Sequence, residues 1–261
     1  MTKPSLYTIE ALQRGLGVLA LFNRESPALS LKEIVDRAGL NKSTAFRVVS
    51  TLVSSGYLEK DPNTKRYRPG LKVLQLGFTA ISSLEFRQVA RPYISRLSTE
   101  TNETVSLGVL DEMEVVYVDR VRARRMIVGV ILGLGSRIPA HCASLGKVLL
   151  AFLPADELKE KIYQSQLLPC TSNSINDYAS LERELANVRE QGYATNNEEL
   201  ESGLRAVAAP IWNHNEQVVA AINVSGSVRT ISPERIENEL APKVCDAADQ
   251  ISQSLGYGSD R

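Results

Sequence analysis

The chain has 261 residues, 30 Lys+Arg against 30 Asp+Glu, a formal net charge of zero and 43% hydrophobic residues, the profile of an ordinary globular protein long enough for two domains. Its three well-separated cysteines, Cys142, Cys170 and Cys245, argue against a disulfide framework. The start MTKPSLYTIE has no apolar h-region and no apolar run reaches a membrane-spanning length, so a leader, a membrane partner and any compartment other than the cytoplasm are not expected.

The zero net charge conceals a split. Residues 1 to 70 carry 11 Lys+Arg against 6 Asp+Glu, and the remainder carries 19 against 24. An acidic second part would be repelled by phosphate, so only the N-terminal part suits a polyanionic partner.

A first helix is expected with Leu12, Leu16, Leu19, Ala20 and Phe22 on its buried side. Ser30 with Glu33 three residues on reads as a capping box for a second, whose stripe is Leu31, Ile34, Val35 and Ala38 and whose stop is Gly39. Asn41 can cap a third, Asn41 to Ser55, with Ala45, Val48, Val49, Leu52 and Val53 inward and Lys42, Ser43, Thr44, Arg47, Ser50 and Thr51 outward. Tyr57 to Lys60 and Lys65 to Arg68 then flank the turn-forming Asp61-Pro62-Asn63-Thr64 as a cationic hairpin. Helix, helix, turn, helix and basic hairpin is the layout of a winged helix-turn-helix. Thr44 and Arg47 are the candidates for base edges, and Lys42, Ser43, Lys65 and Arg66 for phosphate. The competing reading is a helical pair that merely packs.

After Pro69-Gly70 a linker helix is expected on Leu71, Leu74, Phe78 and Ile81, and another helix from about Phe86 to Thr101. The pattern then turns to period two: ETVSLGVL, EVVYVDRV and MIVGVIL read as an antiparallel meander. A Gly-rich loop, GLGSRIPAH, precedes helices from Ser144 to Phe152 and after Pro154; 165–177 reads as loop, and Leu181, Leu185 and Val188 mark a helix that Gly192 ends. Strands at 193–196, 205–212 and 217–226 and a helix over 233–255 complete an α/β (α+β) two-domain chain with a mostly antiparallel sheet. The expected boundaries are 1–70 for the winged domain, 71–85 for the linker helix and 86–261 for the second domain.

Catalytic constellations are sparse in that second domain. The two histidines, His141 and His214, lie in no metal-ligand spacing, and Gly129, Gly133 and Gly135 form neither a GxGxxG nor a Walker pattern. His141-Cys142 reads as a buried Cys beside a loop His, and Glu198, Glu199 and Glu201 as solvated surface. Neither a catalytic residue, a metal nor a cofactor is expected. What remains is a domain that binds something and biases the DNA-binding half.

ALQRGLGVLALF, LKEIVDRAGLNKSTAFRVVSTLVSSGYLEK, YRPGLKVLQLG, IPAHCASLGKVLLAFLP, NNEELESGLRAVAAPIW and VVAAINVSGSVRTIS occur in an order and spacing that resemble the IclR-type transcriptional regulators over essentially the whole chain. The resemblance implies a GAF- or PAS-like effector domain with a curved antiparallel sheet, double-stranded palindromic operator DNA as partner, self-association as dimer and tetramer, and a role as repressor or dual regulator of a local catabolic operon. It implies an effector site at Ile127, Val130, Ser144, Leu145, Asn196, Leu204, Ala206, Asn223 and Ser225. Asn223 and Ser225 share a strand face and Ser144 opens a helix, positions that suit a small carboxylate. VLDEMEVVYVDRVRARRMIVGVILGLGSRIPAHCASLGKVLL is nearest the branch that senses aromatic acids and β-ketoadipate-pathway compounds, where Arg125 would be the counter-charge. The alternatives are an enzyme with a fused DNA-binding domain, as in biotin ligase repressors, and a helix-turn-helix used for protein contacts.

Overall fold

The computed structural model describes residues 8–23, 25–123 and 132–258. Contacts divide the chain into two compact units, Met1–Ser83 and Leu84–Arg261.

In the first unit, α1 (Glu10–Ala20), α2 (Leu31–Ala38) and α3 (Lys42–Ser54) enclose a small core of Val18, Leu29, Ile34, Val49, Leu58 and Tyr67. The capping box forms as the sequence suggests: Glu33 N donates to Ser30 Oγ at 3.3 Å and Ser30 N donates to Glu33 Oε2 at 2.8 Å. Gly39 ends α2 at φ 62°, a left-handed turn that a side chain would strain. Asn41 Oδ1 accepts from Thr44 N at 2.8 Å and starts α3. The wing pairs β1 (Leu58–Lys60) with β2 (Tyr67–Pro69), and Leu29 bridges Tyr67 on the other side. A further helix, α4 (Leu71–Ser82), buries none of its residues.

One expectation fails here. Leu12 and Leu16 are 59% and 58% exposed and Ala20 is exposed too, while Leu19 and Phe22 pack as expected beside Val18, the one fully buried residue of α1.

In the second unit, α5 (Glu85–Thr101) leads into β3 (Thr104–Asp111), β4 (Glu114–Val121), β5 (Arg137–Pro139), β6 (Ala194–Asn197), β7 (Leu204–Trp212) and β8 (Val218–Ser227). They form one sheet in the order β5-β4-β3-β8-β7-β6, antiparallel at every pairing. Register shifts at Leu107/Gly108 and Ile211/Trp212 bend it. One face packs on α5 and on α9 (Ala241–Ser254) through Val105, Leu107, Val207, Ile222, Val224, Leu240, Val244 and Ile251. The other is covered by α6 (Ser144–Ala151) and α8 (Tyr178–Gln191), with α7 (Ala155–Tyr163) between them in sequence; Leu145, Val148, Leu181 and Leu185 meet Ala194, Ala208 and Ala221. Gly146 lets the turn at Ala140–Cys142 fold closely on α6, since a Cβ there would lie 2.1 Å from the Ala140 carbonyl oxygen.

The expected strand MIVGVIL at 126–132 falls outside the described residues except for Leu132. Arg137–Pro139, read as loop, is a strand too short to show a period. The expected single helix from Pro233 is a helical turn, a π turn at Ile236–Leu240 and α9.

Candidate functional site

On the first unit, Lys42, Ser43 and Arg47 lie exposed on α3 beside the half-buried Thr44. Between them stands Phe46, 54% exposed, an apolar side chain that the search for polar contacts passed over. At the wing, Asp61 Oδ1 accepts from Asn63 N and Thr64 N at 2.8 and 2.9 Å, which holds Asp61 below the usual carboxylate range and leaves Lys65 at φ 59° on the tip. Lys65 Nζ donates to Pro62 O at 2.6 Å. Arg66 is differently employed: Nη2 donates to Ala28 O and Glu33 Oε1, both at 2.9 Å. The Ser30 hydroxyl and amide, with Arg66, hold Glu33 down at about 2.

On the second unit the strand register sorts the polar groups. Asn223 on β8 pairs Ala208 on β7 and Ser106 on β3, and Ser106 pairs Arg120 on β4. Two residues along, Ser225 pairs Ala206, which pairs Asn196 on β6. Directly paired residues point to one side of a sheet. Arg120 joins that side because of the bulge at Val118: Val118 packs with the α5 core and Asp119 with Arg87 and Arg91 of α5, while Tyr117 packs under α6. Strict alternation would have put Tyr117 and Arg120 on opposite faces, which hides Arg120 in the sequence. Arg120 lies 5.4 Å over the Tyr117 ring, whose hydroxyl burial pushes up to about 12. Burial lowers Arg120 from the usual guanidinium value, against the pull of Tyr117.

Buried atoms without a partner collect on this face: Ser106 Oγ, Asn223 Oδ1, Asn196 Oδ1, Ser144 Oγ, and Nε and Nη1 of Arg120. Asn196 Nδ2 donates to Cys142 O at 2.5 Å, which sets that corner against the start of α6. Ser225 Oγ donates to Thr104 O at a long 3.4 Å. Leu145 and Ala206 are buried on the same side, and Leu204 is half-buried at the start of β7. Arg125, Ile127 and Val130 lie outside the described residues. Unsatisfied buried donors and acceptors each cost about 1 to 3 kcal/mol, so this concentration makes the face the candidate for a polar ligand. A cleft of about 540 Å³, which Arg120 also lines, opens at Arg87, Gln88, Arg91, Asp119 and Leu134. Asp119 is already paired there with Arg87 and Arg91, at 3.2 and 2.5 Å, so the unpartnered face is the stronger candidate.

The Glu198-Glu199-Glu201 cluster is not uniformly solvated surface. Glu199 is buried and pairs with Lys147 of α6, itself only 2% exposed along its side chain. Glu198 Oε2 accepts from Gly203 N at 2.8 Å, closing the turn into β7.

Comparison with known proteins gives the same division. The profile for the IclR helix-turn-helix domain matches residues 11–62, and that for the bacterial transcriptional regulator IclR C-terminal region matches residues 78–253. The chain is 33% identical over 249 residues to the HTH-type transcriptional regulator XynR of Escherichia coli, covering 95% of this chain and 98% of that protein. It is 32% identical over 245 residues to the Pca regulon regulatory protein of Pseudomonas putida, covering 94% and 84%. Among solved structures, an IclR homolog from Microbacterium hydrocarbonoxydans complexed with 4-hydroxybenzoate superposes with a TM-score of 0.80 at 28% identity, covering 94% of this chain and 99% of that one.

Proposed function

The chain belongs to the IclR family of DNA-binding transcriptional regulators, and from that premise we propose a homodimeric cytoplasmic regulator of a local catabolic operon, a repressor or dual regulator, that reads palindromic half-sites and is modulated by a small carboxylate, aromatic acids foremost. Each α3 would enter a major groove with Thr44, Arg47 and Phe46 at base edges and Lys42, Ser43 and Lys65 on phosphate.

A second copy suits the first unit. Ile9, Leu12 and Leu16 on or beside α1 and Leu71, Leu74, Leu76 and Phe78 on α4 are all exposed, a density of large apolar side chains that soluble surfaces seldom leave uncovered. Two-fold pairing there would set two α3 helices for two half-sites related by the same symmetry.

One observation carries the effector reading: the unpartnered Ser106, Asn223, Ser144 and Asn196 oxygens share a face with Arg120. A carboxylate needs a cation and donors, which Arg120 and the two hydroxyls supply, and a phenol or hydroxyl needs acceptors, which the two amide oxygens supply. The relative solved with 4-hydroxybenzoate carries both groups on one ligand.

The test is a thermal-shift screen of aromatic and short aliphatic acids, 4-hydroxybenzoate among them, followed by anisotropy on DNA from upstream of the protein's own gene. The proposal expects at least one acid to raise the melting temperature and to change affinity for that DNA, with no turnover of the ligand. A shift that survives in Arg120→Ala and Asn223→Ala would move the site elsewhere, and turnover would revive the fused-enzyme reading.

A further inference from the structure

Cys142 and Cys170 are 28 residues apart in sequence yet meet in the fold, a consequence of how the segment 165–177 drapes over the turn that precedes α6. Four contacts hold the drape. His141 Nε2 is 3.0 Å from Leu168 O and must be its donor, Cys170 N donates to Ser174 Oγ at 2.9 Å, Ser174 Oγ donates to Glu199 O at 2.6 Å, and Thr171 Oγ1 donates to Glu198 O at 2.7 Å. Cys142 is buried and Cys170 exposed; both are free, the His141–Leu168 bond brings their segments together, and each thiol alters the other's ionisation. The His141 ring and the Ser174 hydroxyl complete the surroundings of the Cys142 sulfur.

We propose that Cys142 and Cys170 are a hydroperoxide-sensitive thiol pair, which closes to a disulfide and pins the 165–177 segment to the start of α6.

The electronic conditions are met. Burial opposes ionisation of Cys142, but the hydrogen bonds of His141 and then Cys170 to its sulfur outweigh it and draw the thiol down to about 7. Cys170 moves the other way, up to about 12, through desolvation and the neighbouring sulfur, so the pair comes to share one proton as the pH rises through about 7. Burial also disfavours a charged His141, yet Cys142, Leu168 O and Glu199 raise it above its ordinary value. The first turn of α6 carries no acidic residue, which leaves its amide dipoles free to favour a nearby anion. Cys245 is a built-in contrast, since burial and then Asp249 push its thiol up to about 11.

The chemistry balances with an oxidant ROOH. The Cys142 thiolate attacks the O–O bond, forming a sulfenic acid and releasing alkoxide, which takes a solvent proton to become ROH. The Cys170 sulfur then attacks the Cys142 sulfur. The S–S bond forms, the S–O bond breaks, and the hydroxyl leaves with the Cys170 proton as water. Two thiols are oxidised and one peroxide is reduced; a thiol reductant restores both. The approach is by way of the exposed Cys170, which suits a small peroxide better than a bulky disulfide. The bond would be felt nearby, because Cys142 O accepts from Asn196 Nδ2 and Ser144 lies two residues on.

The experiment treats the reduced full chain with a slight excess of hydrogen peroxide, alkylates the remaining thiols and maps the peptides. The expected result is loss of two hydrogens in intact mass, a linked pair of peptides holding residues 142 and 170, full alkylation of Cys245, and reversal by dithiothreitol. In Cys170→Ser, which cannot close the bond, a dimedone adduct should accumulate at Cys142. Alkylation of Cys142 in the untreated protein should follow ionisation with a midpoint near 7, with Cys245 reacting only at far higher pH. Peroxide that leaves Cys142 and Cys170 alkylatable, oxidises Cys245 as fast, or links two chains through these residues would overturn the proposal.

Discussion

Lys147 of α6 and Glu199, in the turn before β7, form a buried ion pair in which the lysine Nζ is 2.9 Å from each carboxylate oxygen, with Glu184 Oε1 of α8 at 2.8 Å. The pair ties three elements together beneath the candidate effector face. Lys147→Ala strands the Glu199 carboxylate in the interior and should cost about 3 to 5 kcal/mol of unfolding free energy, whereas Glu199→Ala leaves Lys147 with Glu184 and should cost less. Lys147→Met with Glu199→Leu should recover much of the loss. The single tryptophan reports on this unit, since Trp212 packs against Phe152 and Tyr257 at ring separations of 4.9 and 5.6 Å. Urea titrations followed by its fluorescence would measure both, and single losses under about 1 kcal/mol would place the pair among surface bridges.

The helices and strands that rest on local chemistry were legible in the sequence. The Ser30–Glu33 box, the Asn41 cap, the Gly39 and Gly192 stops and the strand ending in Asn223 and Ser225 all stand within a residue or two of where their side chains place them. What the sequence withheld depends on long-range pairing. The bulge that turns Arg120 toward Ser106 is set by the register with β3, and the burial of Glu199 is set by Lys147, 52 residues earlier. Neither leaves a periodic trace, whereas Leu12 and Leu16 follow the helical period and are exposed all the same.

Asn223 separates a ligand role from a structural one. Its side-chain oxygen is buried without a partner, so Asn223→Ala, and likewise Ser106→Ala, removes an unpaid desolvation cost rather than a bond. The unliganded protein should melt within about a degree or two of the parent or slightly higher, because surface-neutral changes of a few tenths of a kcal/mol shift melting by little. The acid-induced shift should fall by at least half. A destabilised protein with an intact shift would make Asn223 part of the sheet's own bonding.

At the DNA-binding face the residues should divide by class. Arg47→Ala should weaken the cognate site by about 1 to 3 kcal/mol and random DNA much less. Phe46→Ala should lose affinity only where the site presents thymine methyls, and replacing those thymines by uracil should reproduce the loss in the parent protein. Lys65→Ala should reduce the salt slope by about one. Arg66 is bonded to Ala28 O and Glu33, so Arg66→Ala should lower the melting temperature of the winged unit with a smaller change in slope. Gel shifts and anisotropy over a salt series decide each case, and an equal loss on random DNA for Arg47→Ala would place it on phosphate.

The exposed apolar residues of α4 bear on assembly. Leu74 and Phe78 are 68% and 69% exposed, so charging them costs the folded unit little while burying a charge in any dimer. Leu74→Glu with Phe78→Glu should therefore leave the far-ultraviolet spectrum unchanged, shift sedimentation from dimer to monomer and weaken operator binding at least tenfold. A variant that remains dimeric would move the interface off α4.

The capping box gives the winged unit a defined acid response. Glu33 is held at about 2 against an ordinary 4.5, first by the Ser30 hydroxyl, then by the Ser30 amide and Arg66. Because the folded value is the lower one, the stabilisation is fully present above pH 4.5 and is lost as the pH falls from there through about 2, when the folded state too must take up the proton. Asp61 at the wing is shifted in the same direction by Thr64 and Asn63, so the two carboxylates weaken together. Glu33 is only half-buried, and solvent screening keeps its share modest. Local hydrogen exchange of the 29–38 peptide, expressed as protection against intrinsic rates, should decline between pH 5 and pH 3, a fall of the kind expected when a stabilising carboxylate is neutralised. Glu33→Gln should begin lower and decline less over the same range. Equal slopes in the parent and in Glu33→Gln would assign the acid sensitivity of α2 to some group other than its own cap.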